Sequence, residues 1–229
     1  MINENKLITI QIKSYIDNSV LFEYSCVTNT IKKTLEKAVR KNIDLSCADL
    51  RYSNLEGSNL TGAILNNAWL AHSNLSHTKL SKSYLQFADL SYSNLSESII
   101  TDTDLSHVDF TNANLGDCTF TNTNLFGALL LYSNLCVASF NNSNLKQSDM
   151  TFSCLINTEF YETNLTKANL SYSSLYSSKF KHTNFSYTTL KYAYAEHAHF
   201  TKCNFNNMCC SFTNFLDSNM PLDFKSYYH

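Results

Sequence analysis

The feature that constrains this chain most is a period of five. From Leu45 to Met220 every fifth residue is apolar, 36 positions in a row without a phase slip. Nearly all are Leu or Phe, the exceptions being Ile100, Met150, Ala195, Cys210 and Met220. Two residues before each mark the side chain is small, as at Ala48, Ser53, Ser58, Ala63 and Ala68, with Ile43 and Met208 the bulky exceptions. Neither the 3.6-residue period of a helix nor the two-residue period of a strand divides five, which excludes a long amphipathic helix and a flat alternating strand. A short period of this kind marks a solenoid, in which each unit buries its apolar side against the units above and below. The mark and the small residue two before it then point inward, and the other three point outward.

The length of one coil follows from the columns. Sorting the marks by twenty puts Phe120, Phe140, Phe160, Phe180 and Phe200 in one column and aligns Asn54, Asn74, Asn94, Asn114 and Asn134 in another. Sorting by fifteen scatters the phenylalanines among leucines. Four sides of five residues are therefore expected, and 36 repeats divide into nine coils. At the strand spacing of about 4.8 Å per coil the rod is about 43 Å long.

The residue just before the mark is Asp or Asn in 20 of the 36, as in Ala48-Asp49-Leu50 and Ala168-Asn169-Leu170. A small residue, Asp or Asn, Leu or Phe, and two variable positions resembles the motif of the pentapeptide-repeat family, over about residues 43–222. The resemblance implies an all-β solenoid, a right-handed quadrilateral β-helix with one pentapeptide per side. It also implies that end-to-end homodimers are one solution for the open C-terminal coil. Some members of the family imitate DNA and occupy the DNA groove of type II topoisomerases such as gyrase, which makes that role the alternative reading.

Residues 1–42 break the period and are expected to cover the first coil as a small α+β cap. Leu7 to Lys13 alternates, Asp17-Asn18-Ser19 reads as a turn, and Val20 to Tyr24 returns, a hairpin. Thr28, Asn29 or Thr30 then caps a helix to about Lys41, with Ile31, Leu35, Ala38 and Val39 on one face. Hairpin-helix lead-ins of this kind are similar to those before the repeats of some bacterial and prophage members. Lys32, Lys33, Lys37, Arg40 and Lys41 form a solvated outer side. Pro221 cannot donate to a ladder and ends the solenoid. Residues 223–229 are a short tail, in which Phe224, Tyr227 and Tyr228 either shield the last coil or join two copies.

Composition narrows the function. Four Gly and one Pro leave the turns to other residues, and Asn and Ser are abundant. The start, Met1 to Lys6, has no charged segment followed by an apolar stretch, so no signal peptide is expected. No run approaches the roughly 20 apolar residues of a spanning helix. The eight Cys show no CxxC spacing, and a reducing cytoplasm is the expected location. With net charge -2 there is no basic field to hold nucleic acid or an anionic membrane.

Candidate chemistry is sparse. His197-Ala198-His199 places two imidazoles around an inward Ala, and an idle surface pair is the reading adopted over a metal site. Cys118, Cys203 and Cys210 read as small core residues, and Asp102 and Asp104 flank an inward Thr103 as the repeat requires. The chain is therefore expected to be no enzyme, with no cofactor and no metal. The outer surface is more informative. The second residue after the mark on one side reads Tyr52, His72, Tyr92, Asn112, Tyr132, Phe152, Tyr172, Tyr192 and Phe212, eight of the nine being rings stacked one per coil along one edge. One reading is self-stacking that stiffens the rod; the sharper reading is a binding stripe for an unknown protein partner. DNA mimicry fits less well, because about 43 Å of duplex carries roughly 25 charges. Residues 43–222 hold 14 acidic and 9 basic residues, a net of -5, and lack the projecting loops of quinolone-protection relatives. Direct nucleic-acid binding would need basic residues among the rings, where Asp49, Asp89, Asp109 and Asp149 stand instead.

Overall fold

In the computed structural model of the chain, residues 6–220 are described. β1 (Ile8–Lys13) and β2 (Val20–Cys26) form an antiparallel hairpin, and α1 (Ile31–Arg40) follows. Thr30 caps α1, its hydroxyl accepting from the Lys33 amide at 3.2 Å, and Thr34, Leu35, Ala38 and Val39 form the buried stripe. Beyond the cap the chain winds as a four-sided β-solenoid with the expected period of twenty. Parallel bridges link Asp44 to Ile64, Asp49 to Trp69, Asn54 to Asn74 and Asn59 to Lys79, one per side, and continue to Tyr194 with Asn214. From Ile99 onward the fourth side widens into three-residue strands: β3 (Ile99–Thr101), β4 (Thr119–Thr121), β5 (Ser139–Asn141), β6 (Glu159–Tyr161), β7 (Lys179–Lys181) and β8 (His199–Thr201). These pair in order as one parallel sheet.

The interior is built as the columns require. Every mark from Leu45 to Phe200 is buried. Phe120, Phe140, Phe160, Phe180 and Phe200 stack down the axis at centroid separations of 4.6, 5.0, 4.8 and 5.1 Å. The small inward residues leave room for the chain to reach the axis, and their hydroxyls satisfy backbone carbonyls. Ser73 donates to Leu70 in its own coil at 2.6 Å, and Thr158 donates to Leu135 of the preceding coil at 2.8 Å. Among the described residues no buried side-chain nitrogen or oxygen lacks a partner. Near the C-terminal end Phe185 and Phe205 replace the leucines of their column and pack on Phe200, and Phe215 meets the same ring.

The cap meets the open edge of the first coil with backbone donors and acceptors of its own. The Asp49 amide donates to the Lys13 carbonyl at 2.8 Å and the Tyr15 amide to Cys47 at 3.0 Å. Glu36 of α1 accepts the Asn59 amide, and Lys32 donates to the Glu56 carbonyl at 2.6 Å. Tyr15 lies flat on Trp69 at 3.9 Å, and the Arg51 guanidinium sits 4.5 Å above the same indole. A sheet edge left without such partners invites pairing with another chain.

The corners differ from the sequence expectation. The second residue after each mark has positive φ, from Cys47 (63°) to Asp217 (54°). At the corners after the marks of three sides the residue after that donates back to the mark, as Ala48 does to Leu45 at 3.1 Å, which is the geometry of a type II turn. Asn and Ser were expected to carry these turns; Asn takes the left-handed position at six corners but Ser only at Ser177, while Tyr takes six, His five, and Phe, Lys, Glu and Val take others. Glycine supplies it only at Gly57, Gly62 and Gly127. The twenty-residue hydrogen-bonded lattice over-determines the corner, so side chains that avoid this region elsewhere are held in it. Asn also acts three residues earlier, just before the mark, where its side chain accepts the amide two residues on, as Asn114 does from Gly116 at 3.2 Å. Val137, β-branched and exposed with φ of 63°, is the poorest fit. Val137→Asn keeps the amide bond to Ile156 and is expected to raise stability by about 1 kcal/mol, read as a 2–4 °C rise in Tm, roughly the scaling for a chain of this size.

Candidate functional site

The aromatic column lies on one corner of the solenoid, where each residue has the same backbone conformation. φ is 58° at Tyr52, His72 and Tyr92, 56° at Tyr132 and 59° at Phe212. Identical backbone and a rise of one coil per member force the rings into register. Tyr52, His72 and Tyr92 stack at 5.0 and 4.9 Å. Tyr132, Phe152, Tyr172, Tyr192 and Phe212 stack at 5.0, 4.8, 5.0 and 4.9 Å, with planes within 14° of parallel. Asn112 separates the two runs. The rings stand outside the core: the tyrosines remain between 43% and 74% exposed. Stacking fixes their positions without burying their edges, so the edge shows solvent a row of ring rims and phenol oxygens.

The carboxylates beside the column are committed to local bonds. Asp89 accepts the Ser91 amide at 2.9 Å, Asp109 the Thr111 amide at 2.8 Å and Asp149 the Thr151 amide at 3.0 Å. Asp49 holds the Arg51 guanidinium at 2.7 Å, which keeps its carboxyl below the usual range. On the next side Asn134 donates to Asn114 and Asn114 to Asn94, both at 2.9 Å, a ladder of carboxamides parallel to the rings.

The remaining sequence candidates fall into structural roles. Ala198 is buried, while His197 lies 4.0 Å from Asp217 and edge-on to Tyr176. Among the described residues no three His, Cys, Asp or Glu converge as a metal site. Asp102 accepts from Asn122 at 3.0 Å, and Asp104 accepts from Asn124 at 3.1 Å and Gln86 at 2.8 Å, so both belong to ladders. Burial pushes the Cys118 thiol up to about 12, and it packs against the Leu95 carbonyl at 2.9 Å. Burial likewise raises Cys203 and Cys210. Cys136, facing Cys154 across adjacent coils, was not singled out from the sequence; burial first and Cys154 second raise it to about 11. The signal was available, because residues eighteen apart meet diagonally throughout the lattice, as Asn74 and Glu56 do at 3.2 Å. Phe224, Tyr227 and Tyr228 lie outside the described residues.

Comparison with known proteins agrees with this architecture. The family model described as pentapeptide repeats matches residues 43–81, 78–117, 143–181 and 178–220. The chain belongs to the pentapeptide-repeat family. No curated protein matches it in sequence. Among solved structures, two trypsin-treated variants of QnrB1, described as a plasmid-mediated fluoroquinolone resistance protein, are each 15% identical. The first superposes with a TM-score of 0.59 over 73% of this chain and 86% of that one. The second gives 0.57 over 74% and 86%. HetL from Nostoc sp. strain PCC 7120, a pentapeptide repeat protein involved in heterocyst differentiation regulation, is 24% identical over 74% of this chain and 86% of its own, with a TM-score of 0.30. The two QnrB1 likenesses concern the fold. No helix among the described residues is long and apolar enough to cross a membrane.

Proposed function

We propose that this pentapeptide-repeat protein is a non-enzymatic, rigid interaction module of the cytoplasm that docks another protein along its aromatic edge. The observation that carries the reading is the exposure of an ordered ring column that the core does not need. The axis is already filled by its own Leu and Phe columns. Tyr offers large contact area at low side-chain entropy cost, and rings already locked by stacking lose still less on binding. A DNA mimic acting on a topoisomerase is a weaker reading, since the repeats carry a net of only -5, 14 acidic against 9 basic residues.

The test separates docking from stacking. Tyr172→Ser with Tyr192→Ser removes two exposed rings and leaves every inward position intact. Affinity capture with wild-type and double-variant protein, read by quantitative mass spectrometry, is expected to show a partner lost by the variant. The variant loses three stacked pairs of about 0.5–1.5 kcal/mol each, so Tm should fall by roughly 3–18 °C with the fold retained. Unchanged capture together with a lower Tm would make the column purely structural.

A further inference from the structure

The break in the ring column is itself a shaped feature. Within each run the neighbours cover the ring faces, so a partner meets edges. At Asn112 the pattern reverses: the face of Tyr92 turned away from His72 and the face of Tyr132 turned away from Phe152 look toward each other across one missing ring. Both tyrosines are more than half exposed and Asn112 is exposed between them. Two coil rises separate the rings, about 10 Å at the usual strand spacing. A planar cation at the middle of that gap lies about 5 Å from each ring, inside the roughly 6 Å over which a ring face attracts a cation.

The surrounding charge selects the occupant. Between residues 83 and 145 the chain carries Asp89, Glu97, Asp102, Asp104, Asp109 and Asp117, and not one Lys or Arg. The gap therefore falls inside the most acidic part of the solenoid. Asp109 sits in the same coil as Asn112, and its Oδ1 takes the Thr111 amide. The same fold already shows what such a carboxylate does beside a ring. Asp49 occupies the equivalent place in the first coil, holds the Arg51 guanidinium at 2.7 and 2.9 Å, and that guanidinium lies 4.5 Å over Trp69.

We propose that the gap at Asn112 is a recognition slot for an arginine side chain of a partner protein. The guanidinium lies between the faces of Tyr92 and Tyr132, and the Asn112 carboxamide oxygen accepts one of its N–H groups. A guanidinium is planar and weakly hydrated, so it enters a slot one ring thick; an ammonium is compact and strongly hydrated. Phosphate and nucleic acid are repelled by the same carboxylates. The inference deepens the docking role of the aromatic edge and rests on it.

The experiment is an NMR titration of the full chain with N-acetyl-arginine amide and, in parallel, N-acetyl-lysine amide. Arginine amide is expected to give saturable shifts of the Asn112 side-chain amide and of the Tyr92 and Tyr132 ring signals, with roughly tenfold weaker binding of the lysine compound. Asn112→Tyr fills the slot with a residue the other coils tolerate there and should abolish these shifts; Tyr92→Ser removes one wall and should weaken them. Equal response to both amides, shifts that survive Asn112→Tyr, or no saturable shift at those three residues would overturn the slot. The Tyr172→Ser, Tyr192→Ser protein keeps the slot, so its titration is expected to match wild type. Partner capture that persists without an arginine response removes the slot alone, and an arginine response without loss of capture in that double variant removes the wider docking edge.

Discussion

Leu135→Asp is expected to abolish the cooperative native fold around the middle coils. Leu135 is fully buried, its amide donates to the Cys154 carbonyl at 2.8 Å, and Leu115 and Leu155 lie above and below it in the same column. A carboxylate there has no cation and no water, and uncompensated burial of a charge costs at least 3–5 kcal/mol, roughly the loss seen when a buried ion loses its partner. Folding would push the carboxyl above its unfolded value near pH 4, so the proton is bound more tightly in the folded state. The deficit is therefore largest above the folded value, shrinks as pH falls from there towards the unfolded one, and is constant below it. Circular dichroism melts between pH 3 and pH 7 check this, with Leu135→Asn, of the same size but uncharged, expected to be destabilised with no such pH dependence. A wild-type melting curve for Leu135→Asp at neutral pH would contradict a dry axis.

The second large effect is expected from Phe160→Ala. The Phe160 ring is the middle of the axial stack, 5.0 Å from Phe140 and 4.8 Å from Phe180, and is essentially unexposed. Truncation removes both contacts and leaves a cavity that the hydrogen-bonded coils above and below cannot close, at a cost of about 3–5 kcal/mol. Phe160→Leu should recover most of it, because leucine fills the marks on the other sides. In a solenoid each coil meets only its neighbours, so the damage is local. Hydrogen exchange is expected to accelerate at Asn142 and Glu162, whose amides donate to Tyr161 and Lys181, and to stay slow at Leu65, which donates to Tyr84 several coils away. A uniform loss of protection would mean that the rod unfolds as one unit and that nearest-neighbour coupling understates its cooperativity.

These expectations differ in how far they could be made without coordinates. The Leu135 and Phe160 arguments were legible in the residue order, because the Phe column at an interval of twenty fixes both the coil length and the inward face. The helix limits were bracketed by Thr28, Asn29 and Thr30, and the capping bond from the Lys33 amide selected Thr30. The turn chemistry was legible only in part, since Asn takes six corners and Ser one. Low glycine content pointed to Asn and Ser, while the lattice holds Tyr, Phe and even Val137 in left-handed geometry. Local propensity fails there because inter-coil hydrogen bonds outweigh a corner penalty of about 1–2 kcal/mol.

What the sequence determined by itself is the translational order of the molecule: which residues line the axis, which lie over one another, and that rings share one edge. That is possible because a solenoid maps a fixed sequence interval onto a fixed spatial rise, so one-dimensional spacing is already a distance. Only the tertiary structure decided how each side chain is oriented within that order. It fixed the planes of the stacked rings within 14° of parallel, joined the asparagines by side-chain hydrogen bonds, brought Lys13 and Glu36 of the cap onto the first coil, and left Tyr92 and Tyr132 unstacked on the sides that flank Asn112. Orientation depends on backbone handedness at the corner and on neighbours in adjacent coils, and no spacing along the chain encodes either.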